Sequence, residues 1–234
     1  MKAVLLAAGR GTRLAPLTDT TPKILVPLRG RPLLEHQLRY LERNGVAEVG
    51  LNLHHHADQV LSFLEGFDTP LSIRVSRERE LLGTAGALLS FGDFVGERFV
   101  VLYGDVLTDA DLVALLEQHR IRGGLATIAY YRSLETAGKG VLELDPDERV
   151  TSFAEKSVVR AGEALINAGL YALDSKILAH IHEGADFGHD LWPASLADGE
   201  TLWGHELRGY LRDIGSPQAL QEAEKDLDEG RFEW

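Results

Sequence analysis

Apolar residues arrive in short blocks along the first half of the chain, and the blocks alternate between two periods. Residues 2–8, "KAVLLAA", form a continuous apolar run bounded by Gly9, the pattern of a strand buried on both faces of a parallel sheet. Residues 33–44 place Leu34, Leu38 and Leu41 at helical spacing and stop at Asn44-Gly45, which reads as an amphipathic helix with its C-cap. The same alternation then predicts a strand at "EVGLNL", a helix at "ADQVLSFLEGF", a strand at "LSIRVS", a helix at "TAGALLSF" and a strand at "RFVVLYGDV". A further helix opens at Thr108, with Thr108 and Asp111 spaced as a capping box and Leu112, Leu115, Leu116 and His119 on one face. Strand and helix alternating through residue 122 predict an α/β fold, a mostly parallel sheet with helices on both faces.

From Leu125 the period changes. "LATIAYY", "GVLELD", "VTSFAEK" and "ALINAGLYAL" are strand-like with little helix between them, which predicts a β-rich lobe of mixed sheet. A last helix starts at Ser216-Pro217, serine as N-cap and proline in the first turn, and carries Leu220 and Leu227 toward Gly230. No repeat, low-complexity tract or linker interrupts the pattern. The expectation is one domain over residues 1–234 with two halves, about 1–122 and 123–215, and a terminal helix over 216–234.

Composition narrows the function classes. At 44% hydrophobic and 26% charged residues, 234 residues are enough to bury a sizeable core. No window approaches the roughly 18 to 20 apolar residues that a membrane span needs, and "MKAVLLAAGRG" reads as a strand and turn, not a secretory leader. Zero cysteines exclude disulfides, thiolate nucleophiles and cysteine-held zinc, and fit a cytoplasmic protein. A formal net charge of −12 argues against a nucleic-acid partner. It still allows a small anion where a few cations converge.

"LLAAGRGTRLAPLTDTTPK", residues 5–23, has that convergence. Gly9 and Gly11 let backbone amides approach a ligand, and successive amides in such a turn form an anion-binding hollow. Arg13 adds a fork of donors matched to phosphate oxygens. Pro16 and Pro22 stiffen the excursion to Lys23, allowing the lysine to return to the same anion. The dinucleotide fingerprint fails, because Leu14 stands where its third glycine belongs and "LNLHHH" lacks the ribose-holding acid. A P-loop also fails, because no lysine follows Gly11. On these residues alone, a tight turn with a solvated Arg and Lys remains an equal reading.

The complete spacing resembles the signature G-x-G-T-R, then P, T and P-K, of the sugar-1-phosphate nucleotidyltransferases, here Gly9, Gly11, Thr12, Arg13, Pro16, Thr18, Pro22 and Lys23. Later segments are similar to that family in the same order: "LLGTAGAL", "VLYGDVLTD", "FAEKS", "NAGLYAL", "DFGHDLWPA" and "GYLRDIGSP". The resemblance implies a Rossmann-like three-layer α/β/α fold with a mostly parallel mixed central sheet and a sugar-binding β-rich lobe. It implies attack by a sugar 1-phosphate on the α-phosphorus of a nucleoside triphosphate, with pyrophosphate released. Catalytic roles fall to Arg13, Lys23 and Lys156, and nucleotide contacts to Ala7, Ala8, Gly9, Gly11, Thr12, Arg13, Glu78, Gly83 and Thr84. Gly140, Glu155, Lys156, Asn167 and Gly169 are implied on the sugar-phosphate side, and Asp105 and Asp213 as ligands of Mg²⁺.

Within the family, "GTAGA" and "DFGHDLWP" are most similar to the branch that transfers guanylyl groups to mannose 1-phosphate. A uridylyl- or thymidylyltransferase acting on glucose or an amino-sugar 1-phosphate is the alternative, and a catalytically silent nucleotide-sugar sensor is the alternative of another class. Ala8 replaces a glycine common in the family, and Lys139 stands where an aromatic residue is frequent, which bears on sugar identity. Because the chain ends at Trp234, no acyltransferase-like extension and no second activity are expected. A homo-oligomer is allowed. Histidines 54–56, consecutive on a strand-to-helix turn, cannot all face one metal, and Trp192, Trp203 and Trp234 are expected to be packing residues.

Overall fold

The computed structural model describes residues 1–156 and 162–232. Ser157 of the "FAEKS" segment and Trp234 lie outside the described residues. In chain order the strands are β1 (Lys2–Leu6), β2 (Pro27–Leu28), β3 (Arg31–Pro32), β4 (Glu48–Leu53), β5 (Ser72–Arg77), β6 (Arg98–Tyr103), β7 (Val106–Thr108), β8 (Ala126–Ser133), β9 (Val141–Leu144), β10 (Val150–Ala154), β11 (Ala164–Asp174), β12 (Leu202–Glu206) and β13 (Leu211–Asp213). The α-helices are α1 (Leu17–Thr20), α2 (Leu33–Arg43), α3 (Ala57–Glu65), α4 (Leu112–Arg122), α5 (Trp192–Ala197) and α6 (Pro217–Asp228). None of the helices is long and apolar enough to cross a membrane, among the described residues.

The chain folds into two compact units that are interleaved along the sequence. One holds Met1–Leu81, Leu102–Asp111 and the residues from Gly209 onward, and the other holds Leu82–Val101 and Leu112–Arg208. β7 and β13, more than 100 residues apart in the chain, pair with each other within the first unit.

In the first unit β1, β4 and β5 are parallel and in register from Lys2↔Glu48 to Leu6↔Asn52 and from Glu48↔Ser72 to Leu53↔Arg77. The apolar run of β1 has Ala3, Val4 and Leu5 fully buried, as a two-sided parallel strand requires. Helix α2 buries Leu34, Leu38 and Leu41 and stops where Gly45, at φ 74°, supplies the left-handed cap. Helix α6 begins as its sequence predicts, with the Ser216 hydroxyl accepting from the Ala219 N–H at 3.2 Å. Its Leu220 and Ala223 pack with Val26, Leu28, Leu33, Leu107 and Ile214 in one apolar cluster.

The second unit carries the antiparallel order β10-β9-β11-β8, closed by β12, which runs parallel to β8. Four local expectations change. "TAGALLSF" forms a 3-10 segment over Gly86–Phe91, not an α-helix. Thr108 ends a strand, where its hydroxyl donates to the Tyr210 carbonyl at 2.9 Å, and helix α4 starts only at Leu112. "RFVVLYGDV" breaks at Gly104-Asp105 into β6 and β7, and "VTSFAEK" leaves the strand before Glu155.

His119 on α4 is fully buried, with Nδ1 3.0 Å from the Thr127 hydroxyl and, among the described residues, no hydrogen-bond partner for Nε2. Burial pushes this imidazole down to about 4, against the opposing pull of Asp174 and with Arg98 adding to the fall. The unfolded chain takes up a proton near pH 6.5 while the folded chain stays neutral, so stability present above that pH is lost as pH falls toward 4. The expected loss from this group is about 2 kcal/mol between pH 7 and 5. Urea unfolding at the two pH values should show a smaller difference in His119→Leu than in the unaltered protein.

Candidate active site

The first unit assembles one cluster at the carboxyl end of β1. After Leu6 the chain leaves the sheet, and the Ala7 N–H donates to Asn52 Oδ1 at 2.8 Å at the end of the neighbouring strand. Ala8 is buried, Gly9 is exposed, and Thr12 and Arg13 sit in a single 3-10 turn, Thr12–Leu14. Gly11 adopts φ 66°, and a Cβ built there would lie 2.9 Å from Lys23 Cβ and 3.0 Å from Thr18 Cγ2. Glycine is thus required both by the left-handed backbone and by the lysine stem packed over it. At Gly9 a Cβ would meet nothing, so packing within the protein does not call for glycine there.

Lys23 is held against this loop with its side chain only 13% exposed, and its ammonium pairs with the Asp105 carboxylate. Asp105 follows Gly104 in the turn between β6 and β7. That turn lies close under β1: the Gly104 N–H donates to the Leu6 carbonyl at 2.8 Å, and a Cβ on Gly104 would fall 2.8 Å from both Leu6 O and Ile24 Cδ1. Buried Gln37 on α2 clasps the same turn, donating to Val106 O at 2.6 Å and Gly104 O at 3.3 Å.

Asp213 reaches Asp105 through backbone pairing. It stands opposite Val106 in the antiparallel β7–β13 ribbon, and the next N–H, of Ile214, donates to the Asp105 carbonyl at 2.7 Å. The Asp213 carboxylate lies 3.9 Å from the Arg13 guanidinium, which passes so close over Gly215 that a Cβ there would sit 2.6 Å from it. Two cations from the opening motif and two carboxylates from two later ones therefore form two ion pairs. The Arg13 pair is largely exposed and worth little as a fixed bond.

Glu78, at the end of β5, is 6% exposed and its Oε1 accepts from Asn52 Nδ2 at 2.8 Å. Asn52 thus bridges the Ala7 N–H of the glycine loop to the Glu78 carboxylate. Sequence reasoning missed Asn52 as a site residue. A buried-strand pattern interrupted by an amide one residue before its end was its only signal. The histidines diverge as expected: His54 bonds the Glu78 carbonyl at 3.1 Å and His56 the Asp19 carbonyl at 3.2 Å.

The second unit assembles another cluster. Gly140 and Gly188 both face Glu155, and a Cβ on either would come within 2.7 Å and 2.1 Å of Glu155 Oε2. Burial raises the Glu155 carboxyl above its ordinary range; His189 and Lys156 oppose the shift, and Asp186 adds to it. Lys156 is exposed, just past β10, at φ 48°. Asn167 shares its backbone with Gly140, donating N–H to its carbonyl at 2.9 Å. Its side chain braces a β-bulge, with Nδ2 donating to Tyr171 OH at 2.8 Å and Oδ1 accepting from the Gly169 N–H at 3.1 Å. Gly169, at φ 68°, makes that bulge.

Gly83 and Thr84 are tied to residues 185–187. The Thr84 hydroxyl donates to Asp186 Oδ1 at 2.8 Å and accepts from the Phe187 N–H at 3.0 Å, while the N–H groups of Ala85 and Gly86 share the Ala185 carbonyl. Gly83, at φ 78°, has its Cβ position only 2.3 Å from that carbonyl. Asp186 was not singled out in the sequence, because its partner is 102 residues away.

In the first unit, then, a parallel sheet ends its first strand in a glycine turn ringed by a lysine, an arginine and two aspartates. The chain belongs to the nucleotidyl transferase family, which it matches over residues 2–230. It is 37% identical over 226 residues to "Mannose-1-phosphate guanylyltransferase 1" of Arabidopsis thaliana, the match covering 93% of this chain and 62% of the relative. It is 33% identical over 235 residues to "UTP--glucose-1-phosphate uridylyltransferase" of Synechocystis sp., covering 92% of this chain and 60% of that one. The chain therefore spans about three fifths of the length of these relatives. Among solved structures, HddC from Yersinia pseudotuberculosis complexed with GMP-PN superposes with a TM-score of 0.84 at 28% identity, covering 97% of this chain and 99% of that one. The likeness extends to the Rossmann-like fold, a mixed central sheet flanked by helices.

Two predictions follow from the packing. Gly11→Ala places a side chain at positive φ against Lys23, and should lower unfolding stability by about 1 kcal/mol or more, checked by urea titration. Glu155 is ionised less readily in the fold than in the unfolded chain, so its contribution to stability falls as pH rises above the ordinary glutamate range. Glu155→Gln should accordingly raise the thermal midpoint at pH 7 and flatten its decline from pH 5 to 7, read by calorimetry.

Proposed function

We propose that this chain joins a nucleoside triphosphate to a sugar 1-phosphate, giving a nucleoside diphosphate sugar and pyrophosphate, with GTP and mannose 1-phosphate as the pair. The observation that carries the reading is the convergence of Lys23, Arg13, Asp105 and Asp213 on the glycine turn after β1. The Arabidopsis relative's name and the nucleotide in the HddC complex support guanylyl transfer. The Synechocystis relative supports a second reading, uridylyl transfer to glucose 1-phosphate. Nucleoside triphosphates are supplied in the cytoplasm, where we place the reaction.

A sugar 1-phosphate oxygen forms a bond to the α-phosphorus while the bond from that phosphorus to the bridging oxygen of the β-phosphate breaks, and the electron pair leaves with pyrophosphate. The nucleophile needs no strong base, since a phosphomonoester with a second pKa near 6 is mostly dianionic at neutral pH. Bringing two polyanions into line is the harder task, so positioning and charge neutralisation dominate. Arg13 would hold the departing pyrophosphate, and Lys23 the charge at the α-phosphate. Backbone amides of residues 7–13 would receive the remaining phosphate oxygens. On the sugar side, Lys156 would orient the incoming phosphate, and Glu155, held between Gly140 and Gly188, would accept from sugar hydroxyls.

Asp105 and Asp213 would hold Mg²⁺. Two hard carboxylates with no third acidic or imidazole ligand grouped beside them, among the described residues, fit an ion completed by substrate phosphates and water. When bound, such an ion supplies charge neutralisation at phosphate oxygens. Each carboxylate already faces a cation of the chain, so nucleotide arrival would exchange partners: Lys23 and Arg13 pass to phosphate, and the carboxylates are released to the metal.

A matrix of GTP, UTP, dTTP, ATP and CTP against mannose, glucose and N-acetylglucosamine 1-phosphates with Mg²⁺, scored by pyrophosphate release, tests the reading. GTP with mannose 1-phosphate should turn over fastest. A preference for UTP or dTTP would overturn the guanylyl assignment, and no turnover in any cell would overturn the enzyme. Lys23→Ala and Asp105→Asn should each lower kcat by roughly 10²-fold or more while circular dichroism stays unchanged.

A further inference from the structure

Asp213 leaves β13 on the side of Arg13, and its neighbour Arg212, one residue earlier on the same strand, leaves on the other side. There the guanidinium meets a carboxylate that the reaction has no use for. Asp226, in the last turn of α6, is 3% exposed, and its Oδ2 accepts from Arg212 Nη2 at 2.7 Å, Arg212 Nε at 2.9 Å and Tyr210 OH at 2.9 Å. Arg212 Nη1 also pairs with Glu222, one turn earlier on α6, and Arg231 approaches Asp226 Oδ1 at 3.4 Å. Tyr210 stacks on Phe232 with ring centroids 4.6 Å apart, and its backbone is held by Asp109 and Thr108.

We propose that Asp226 and Arg212 are positioning residues for Asp213: the pair of buried Asp226 and half-buried Arg212 fixes the three-residue strand β13 against α6, and so fixes the angle at which the Asp213 carboxylate is presented beside Asp105. This rests on the reading of Asp213 as a metal ligand. The ladder of β13 sets its register on β7 over only three residues, the contact with α6 adds a second anchor, and a buried carboxylate requires its donors. An arrangement needed only for stability could be apolar here. The ionic one instead fixes direction, because the rigid guanidinium fork is engaged on two sides, Nε and Nη2 by Asp226 and Nη1 by Glu222.

Groups hydrogen-bonded to a metal ligand typically change metal affinity by roughly 10- to 100-fold when removed, and Arg212 and Asp226, which act on Asp213 through the β13 backbone, belong at the lower end. The test is Mn²⁺ binding to the whole chain with GTP present and sugar phosphate absent, free Mn²⁺ being counted by electron paramagnetic resonance. Asp226→Asn and Arg212→Lys should each raise the Mn²⁺ dissociation constant about tenfold in protein that remains folded by circular dichroism. Asp213→Asn serves as the reference and should weaken binding at least as much. If Asp213→Asn weakens binding while the folded Asp226 and Arg212 variants match the unaltered protein, the proposal is overturned and the metal reading stands. If Asp213→Asn binds Mn²⁺ normally, the metal reading fails and takes the proposal with it. Should Asp226→Asn not fold, Arg212→Lys, which keeps the charge and loses the fork, decides alone.

Discussion

The Lys23–Asp105 ion pair is the constraint around which the first unit is arranged. An ammonium and a carboxylate, each mostly withdrawn from water, must be brought together from residues 82 positions apart. Each partner reaches that point only because a glycine makes room: Gly11 beneath the lysine stem, and Gly104 where the aspartate's turn closes on β1. Gln37, buried on α2, then locks the turn through two carbonyls. Packing of α2 against the sheet is in this way transmitted to one carboxylate. A partly buried pair of opposite charges is costly to break by deleting one member and cheap to break by supplying each with a better partner. That asymmetry suits the proposed exchange, in which each charge trades its partner within the protein for one brought by substrate.

Much of this unit was legible in the sequence, and for local reasons. The apolar run of β1, the heptad-like leucines of α2 and the Ser-Pro start of α6 are short-range patterns, and all three elements form where they predict. Lys23, Asp105 and Asp213 were named from motif order, which carries information that periodicity lacks. What the sequence hid is long-range. Thr108 looks like a helix cap until Tyr210 pairs with it from across the chain, and in the other unit "TAGALLSF" looks like a helix until the Ala185 carbonyl takes two of its N–H groups. β13 is too short to register as a strand, and Asn52, Asp186 and Asp226 bond residues that no local window contains.

In the second unit the balance differs. Glu155 is held half-buried with its ionised form disfavoured, between two glycines that leave no atom to spare around one oxygen. A carboxylate kept in such a place destabilises the fold it sits in, and perturbed groups of this kind gather at functional sites more than elsewhere. The bulge at Asn167–Tyr171 is similarly specific. Its asparagine spends both ends of its amide on the bulge itself, so its contribution is to the shape of the backbone.

The junction of residues 83–86 with 185–187 has a consequence for anyone redesigning this protein. The loop is tied down largely from outside itself: its turn is closed by Asp186, Phe187 and a carbonyl 100 residues downstream, at a separation only glycine tolerates. Transplanting those four residues from a relative would move half of a two-part lock. The segment from Gly184 to Phe187 must travel with them as one cassette, and libraries that randomise either stretch alone will sample mostly broken joints.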